Sequence, residues 1–170
     1  MIKIRSNVFE TNSSSVHSIV ITKTPTDPGW FVKFSIGEFG WEFNELSTPE
    51  EKASYFYTAA CSLLKRDIFN EISEKLFKYG IEIYSTNRAA FEFDAEYTWL
   101  ENGYIDHVEE LEDWVNDLMN DTDKLIRFIF NDESFVITGN DNCDDIDSEW
   151  MSKKVARADA YQHDLIRKWN

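Results

Sequence analysis

The sequence predicts one α+β domain, residues 1–170, with a mainly antiparallel sheet packed against three to five helices. Three features carry that expectation. The 170 residues are 42% hydrophobic and include 13 Phe, 7 Tyr and 6 Trp, enough large apolar area for one core without disulfides or metal. Several segments place apolar residues at helical spacing. Short β-branched and aromatic runs, closed by Gly, Pro or Asn, lie before, between and after them. No repeat, linker or low-complexity tract divides the chain.

In chain order, Ile2 to Arg5 reads as a short strand leading into a polar loop. Val16 to Thr22 alternates as a strand, with His17 on the face of Ile19 and Ile21. Pro25, Pro28 and Gly29 mark a turn. Trp30–Ile36 and Glu38–Phe43 read as the arms of a hairpin separated by Gly37. Thr48, Pro49 and Glu51 form a helix start with a capping box, and Ala53, Phe56, Tyr57, Ala60, Leu63 and Leu64 supply its core stripe. A second helix carries Ile68, Phe69, Ile72, Leu76 and Tyr79, closed by Gly80. Ile81–Tyr84 and Ala90–Phe93 read as strands. Asp106 is a plausible N-cap for a helix over Val108–Met119 with an acidic outer face. A short helix over 122–130, a strand over Ser134–Thr138, a loop over 139–142 and a terminal helix over 148–169 complete the chain.

Charge is unevenly placed. Residues 1–100 hold 14 acids and 10 bases, residues 101–149 hold 16 acids against Lys124 and Arg127, and the last 21 residues hold 2 acids and 5 bases. Nearly all of the net charge of -15 therefore sits in one block. Such a block repels a nucleic-acid backbone, which disfavours direct nonspecific DNA binding. It reads either as a solvated face or as a surface that imitates nucleic acid and docks on a basic protein. On the second reading Glu109, Glu110, Glu112, Asp113, Asp117, Asp144 and Asp145 contact the partner, with Trp99, Trp114 and Trp150 as anchors. Two cysteines without CxxC spacing suit a reduced, cytoplasmic protein. No apolar leader and no membrane-length run is present, so no membrane association is expected.

Phe9 to Ser18, Phe-Glu-Thr-Asn-Ser-Ser-Ser-Val-His-Ser, is the densest polar segment. It has no Gly or Pro, yet offers a carboxylate, five hydroxyls, an amide and an imidazole. Such a set can wrap an anion, position a proton-transfer group, or hydrogen-bond to itself. Asp106-His107 and Thr138–Asn142 are two further polar clusters. If the three converge, His17, His107, Glu10, Ser15 and Asp106 are the candidate catalytic groups. Arg5, Thr11, Asn12, Ser13, Ser14, Asn140, Asp141 and Asn142 are then the candidate substrate-binding groups. Two imidazoles near neutrality can cleave a phosphodiester without metal. A serine activated by His17 or His107 would instead be a hydrolase nucleophile. The plainer reading makes His107 a surface or capping group and His163 a helix surface residue. Asn140 to Asp144 alternates like the start of a calcium loop, but Asp145 and Met151 stand where Gly and Glu are required. No Walker, GxGxxG, HExxH or GxSxG pattern is present, and no cofactor or metal is expected.

The stretch Arg5-Ser6-Asn7-Val8-Phe9-Glu10-Thr11-Asn12-Ser13-Ser14-Ser15-Val16-His17-Ser18 resembles the opening of a family of small, mostly uncharacterised proteins of bacterial phages, plasmids and other mobile elements. Tyr104-Ile105-Asp106-His107 and Thr138-Gly139-Asn140-Asp141-Asn142 resemble two later motifs of that family. The match covers under a fifth of the chain. It departs after His107, where Val108-Glu109-Glu110 replaces a polar residue. The resemblance implies a mobile-element accessory protein of the bacterial host cytoplasm, in a group that includes anti-CRISPR proteins. The leading expectation is an acidic inhibitor of an RNA-guided nuclease. The alternative is a small metal-independent phosphodiesterase or ribonuclease using His17 and His107.

Overall fold

A computed structural model describes residues 15–40, 43–94, 97–140 and 164–167. Ser15–Ile21 forms β1, and its Ile19, Val20 and Ile21 are all sealed from solvent. A strand buried on both faces belongs inside a sheet. β1 pairs antiparallel on one side with β9 (Phe135–Asn140), in the register His17 to Thr138 and Val20 to Phe135. On its other side it pairs with β10 (Asp164–Arg167), Ile19 facing Ile166. β4 (Asn44–Leu46) completes a four-stranded antiparallel sheet in the order β10-β1-β9-β4.

Two sequence expectations change in this sheet. Residues 164–167 are a strand, not part of a terminal helix. Leu165 and Ile166 pair with Val20 and Ile19 of β1, a long-range gain that helical spacing cannot register. Gly139 and Asn140 continue β9 rather than opening a loop; Ser15 opposite Asn140 extends the ladder.

The expected hairpin around Gly37 also does not form. β2 (Phe31–Ser35) pairs parallel with β5 (Glu82–Asn87), across the two helices that follow it. β3 (Glu38–Phe39) pairs parallel with β8 (Tyr104–Ile105). Gly37 is held between them: its N–H donates to Thr58 Oγ1 at 3.1 Å and its carbonyl accepts from Tyr104 N at 3.0 Å. A true hairpin lies later, where β6 (Phe91–Phe93) pairs antiparallel with β7 (Thr98–Leu100).

The helix α1 (Pro49–Leu64) starts at the expected capping box, Thr48 with Glu51. Burial pushes the Glu51 carboxyl up, but the Thr48 and Ser47 hydrogen bonds outweigh it and hold the group below its usual range. α1 is buried on all sides rather than along one stripe, Tyr55, Thr58, Ala59 and Cys61 included. It is therefore the central element of the core. Burial pushes the Cys61 thiol up to about 12, which suits packing and not nucleophilic chemistry. α2 (Phe69–Phe77) buries Ile72 and Leu76 and ends in Gly80, whose φ of +77° costs glycine little. Lys65 at the end of α1 takes the same left-handed conformation at φ 52°.

Val108–Leu111 winds as a 3-10 turn before α3 (Glu112–Asn120), and Asp121 caps α4 (Thr122–Phe130) by accepting from Lys124 N at 2.9 Å. Asp106 is not the N-cap expected of it. His107 occupies that place in a left-handed conformation and makes no side-chain cap. The apolar faces of α3 and α4 pack on α1 through Trp114, which meets Phe128 edge-on at 5.3 Å and Phe56 at 5.8 Å.

Lys52 lies in this core with no exposed surface, its Nζ donating to the carbonyls of Asn131 at 2.7 Å and Ser134 at 2.9 Å. Burial pushes its amine down to about 8, opposed by Asp132 and Glu51. Between that value and the usual 10.5 the unfolded chain binds a proton that the folded one does not, so stability contributed by this site rises with pH. Denaturant titrations across pH 8 to 10.5 are expected to show the parent gaining on the order of 3 kcal/mol relative to Lys52→Met. A constant difference over that window would exclude this assignment.

Candidate functional site

Strand register and one glycine bring His17, Thr138 and Asp106, one residue from each of the three polar clusters, to one place. His17 is only 5% exposed, and its cross-strand partner is Thr138. Gly40, at φ +109°, follows β3; a Cβ added there would stand 2.9 Å from Asp106 Cβ and 3.4 Å from His17 Cε1. The glycine thus lets the end of β8 close over β1. Asp106 is tied to this position by its N–H, which donates to the Phe39 carbonyl at 3.2 Å.

The hydrogen bonds divide the cluster into an inner and an outer part. Inside, the Tyr55 hydroxyl and His17 Nδ1 share a bond of 2.8 Å, whose direction follows the imidazole tautomer. Burial pushes the Tyr55 hydroxyl far up, so it remains protonated. Outside, the Tyr104 hydroxyl donates to Asp106 Oδ1 at 2.7 Å. Burial and this carboxylate push Tyr104 up to about 12. Asp106 Oδ2 is buried and has no hydrogen-bond partner among the described residues. It lies 4.0 Å from His107 Nε2, too far for a hydrogen bond.

Proton transfer requires a group that reaches the substrate. His107 is 38% exposed, whereas His17 is enclosed. Of the other residues named for this site, Ser15 and Asn140 face each other across the β1–β9 ladder. Arg5, Glu10, Thr11, Asn12, Ser13, Ser14, Asp141 and Asn142 lie outside the described residues. Tyr55, Tyr104 and Gly40 join the cluster without having been singled out. Tyr55 falls off the apolar stripe of α1, and Gly40 reads locally as a turn. Tyr104 alone had a signal, standing two residues before Asp106.

A second feature is the acidic face. Glu109, Glu112, Asp113 and Asp117 are exposed on the 3-10 turn and α3; Asp121 and Asp123 at the start of α4, and Asp132 and Glu133 after it, are exposed as well. Glu110 lies in the same 3-10 turn; Asp144 and Asp145 fall outside the described residues. Lys124 Nζ pairs with Asp117 at 2.7 Å. Of the three expected anchors, Trp114 is a core residue, 2% exposed, because α3 turns its apolar stripe inward. Trp99 is 41% exposed on β7, and Trp150 lies outside the described residues.

Two adjoining cavities of about 240 and 250 Å³ run between the end of α1 and the 3-10 turn, sharing Ser62, Lys65, Val108 and Glu109. The second reaches Trp99, Tyr104 and His107. Among the described residues no three His, Cys, Asp or Glu side chains could together hold a metal ion, and no helix is long and apolar enough to cross a membrane. No protein-family model, curated protein or solved structure matches the chain.

Proposed function

We propose that this chain is a counter-defence protein of a phage or mobile element that occupies the basic nucleic-acid groove of an RNA-guided nuclease. One observation carries the reading. Residues 109–123 hold seven acids and no lysine or arginine, and the helices bearing them are pinned to the core through Trp114, Val115, Leu118 and Leu125. Glu109, Glu112, Asp113, Asp117, Asp121 and Asp123 thereby face solvent from a fixed backbone. Carboxylates fixed in this way offer a basic channel a ready-made field of opposite sign. The likeness of the opening motif to mobile-element proteins supplies the biological setting.

Competition tests the reading: labelled duplex DNA bound to a reconstituted nuclease–guide complex is titrated with the protein at several salt concentrations. Displacement that weakens steeply as salt rises is the expected result. A ternary complex with bound DNA unaffected would contradict it.

The convergence of Asp106 with His17 and His107 favours a second reading, a metal-independent phosphodiesterase. There the half-exposed His107 would be the proton-transfer group, beside the Asp106 carboxylate. The enclosure of His17 leaves that chemistry one imidazole short of an acid–base pair, so this reading ranks second.

A further inference from the structure

We infer that the cavity lined by Trp99, between the end of α1, β7 and the 3-10 turn, seats an arginine side chain of the basic partner. This rests on the acidic-binding reading and names what its anchor point holds. The cavity of about 250 Å³ is lined by Trp99, Tyr104, His107, Glu109, Ser62 and Lys65, among others. Trp99 and Tyr104 are 41% and 42% exposed, so both rings are accessible from the cavity. Trp99 is held in place: its Nε1 donates to Glu92 Oε2 at 3.1 Å, which also brings a carboxylate to the ring edge.

An aromatic face beside carboxylates attracts a cation through the ring quadrupole and through charge together. The guanidinium suits the site better than an ammonium. It stacks on indole, and its planar fork offers five donors. Asp106, in the chain between the lining residues Ile105 and His107, is 9% exposed, and its Oδ2 lacks a hydrogen-bond partner among the described residues. Tyr104 fixes the other oxygen at 2.7 Å, and the exposed His107 ring stands 4.0 Å from the vacant one. Phe93 and Tyr97 are also exposed on this hairpin, but Phe93 is paired with Thr98 and so points to the face away from Trp99. Exposed aromatics rimmed by charge are a composition typical of binding hot spots.

Among the described residues of the lining Lys65 is the one lysine or arginine, and it decides the sign of the test. A site for a cation is improved by its removal, and a site for a phosphate is weakened. The full-length protein is titrated calorimetrically with an octa-arginine and an octa-lysine peptide at low salt. The arginine peptide is expected to bind about fivefold tighter. Trp99→Leu should abolish that preference, and Lys65→Asn, which tolerates the left-handed backbone, should tighten arginine binding about twofold. A preference that survives Trp99→Leu, or weaker binding in Lys65→Asn, overturns the inference. Equal, salt-dependent binding of the two peptides also overturns it while leaving the acidic-face reading standing. Binding of neither peptide overturns both.

Discussion

Replacing Glu109, Glu112, Asp113 and Asp117 by their amides is expected to weaken binding to the nuclease–guide complex by about 30- to 1,000-fold at low salt. The estimate follows from roughly 0.5–1 kcal/mol for each exposed charge facing an opposite one, added over four sites. Shape is retained, since each amide is isosteric with its acid. The loss should shrink as salt rises, because screening removes from the parent what the substitution removes from the variant. Stability falls little. Asp117 gives up its 2.7 Å pair with Lys124, an exposed interaction. Glu112 and Asp113 give up their interaction with the first turn of α3, about 0.3–1 kcal/mol each. A thermal melt separates this small cost from the binding loss. Undiminished affinity in a folded variant would remove the acidic face from the mechanism.

Trp114→Ala is expected to cost about 3–5 kcal/mol of folding stability, a large part of what a domain of this size possesses. The ring is 2% exposed and contacts Tyr55, Phe56 and Phe128 at centroid distances of 5.7, 5.8 and 5.3 Å. Its removal would leave a cavity where α1, α3 and α4 meet, loosening the helix that carries the acids. Trp114→Phe should cost far less. It keeps much of the aromatic packing and removes an indole N–H that is buried without a hydrogen-bond partner among the described residues. Denaturant titration of the two variants checks the order. Equal stabilities would mean that this ring does not hold the helices together.

The helices were the most legible part of the sequence because their signals are local. The Thr48–Glu51 box and Pro49 set the start of α1, and the spacing of Trp114, Val115 and Leu118 set the inner face of α3. Strand partners were not legible. Gly37 and its flanking β runs read as a hairpin because hairpins are the local solution, yet each run pairs with a strand more than 40 residues away. Residues 164–167 illustrate the same point at the other end of the chain, gaining strand pairing from β1. Asp106 could be recognised as important but not assigned a role. The cap reading used its sequence neighbours, whereas its position depends on Phe39, Gly40 and Tyr104. Trp99 and Trp114 look alike as residue types; only the direction of β7 against that of α3 makes one an accessible ring and the other core.

The most direct test of the central claim is co-elution of the protein with a reconstituted RNA-guided nuclease complex, with guide RNA length read from the same fractions. A complex that excludes target DNA and holds an intact guide is the expected result. A shortened guide that returns to full length with His107→Ala would make the protein an enzyme, and absence of any complex would contradict the proposed partner.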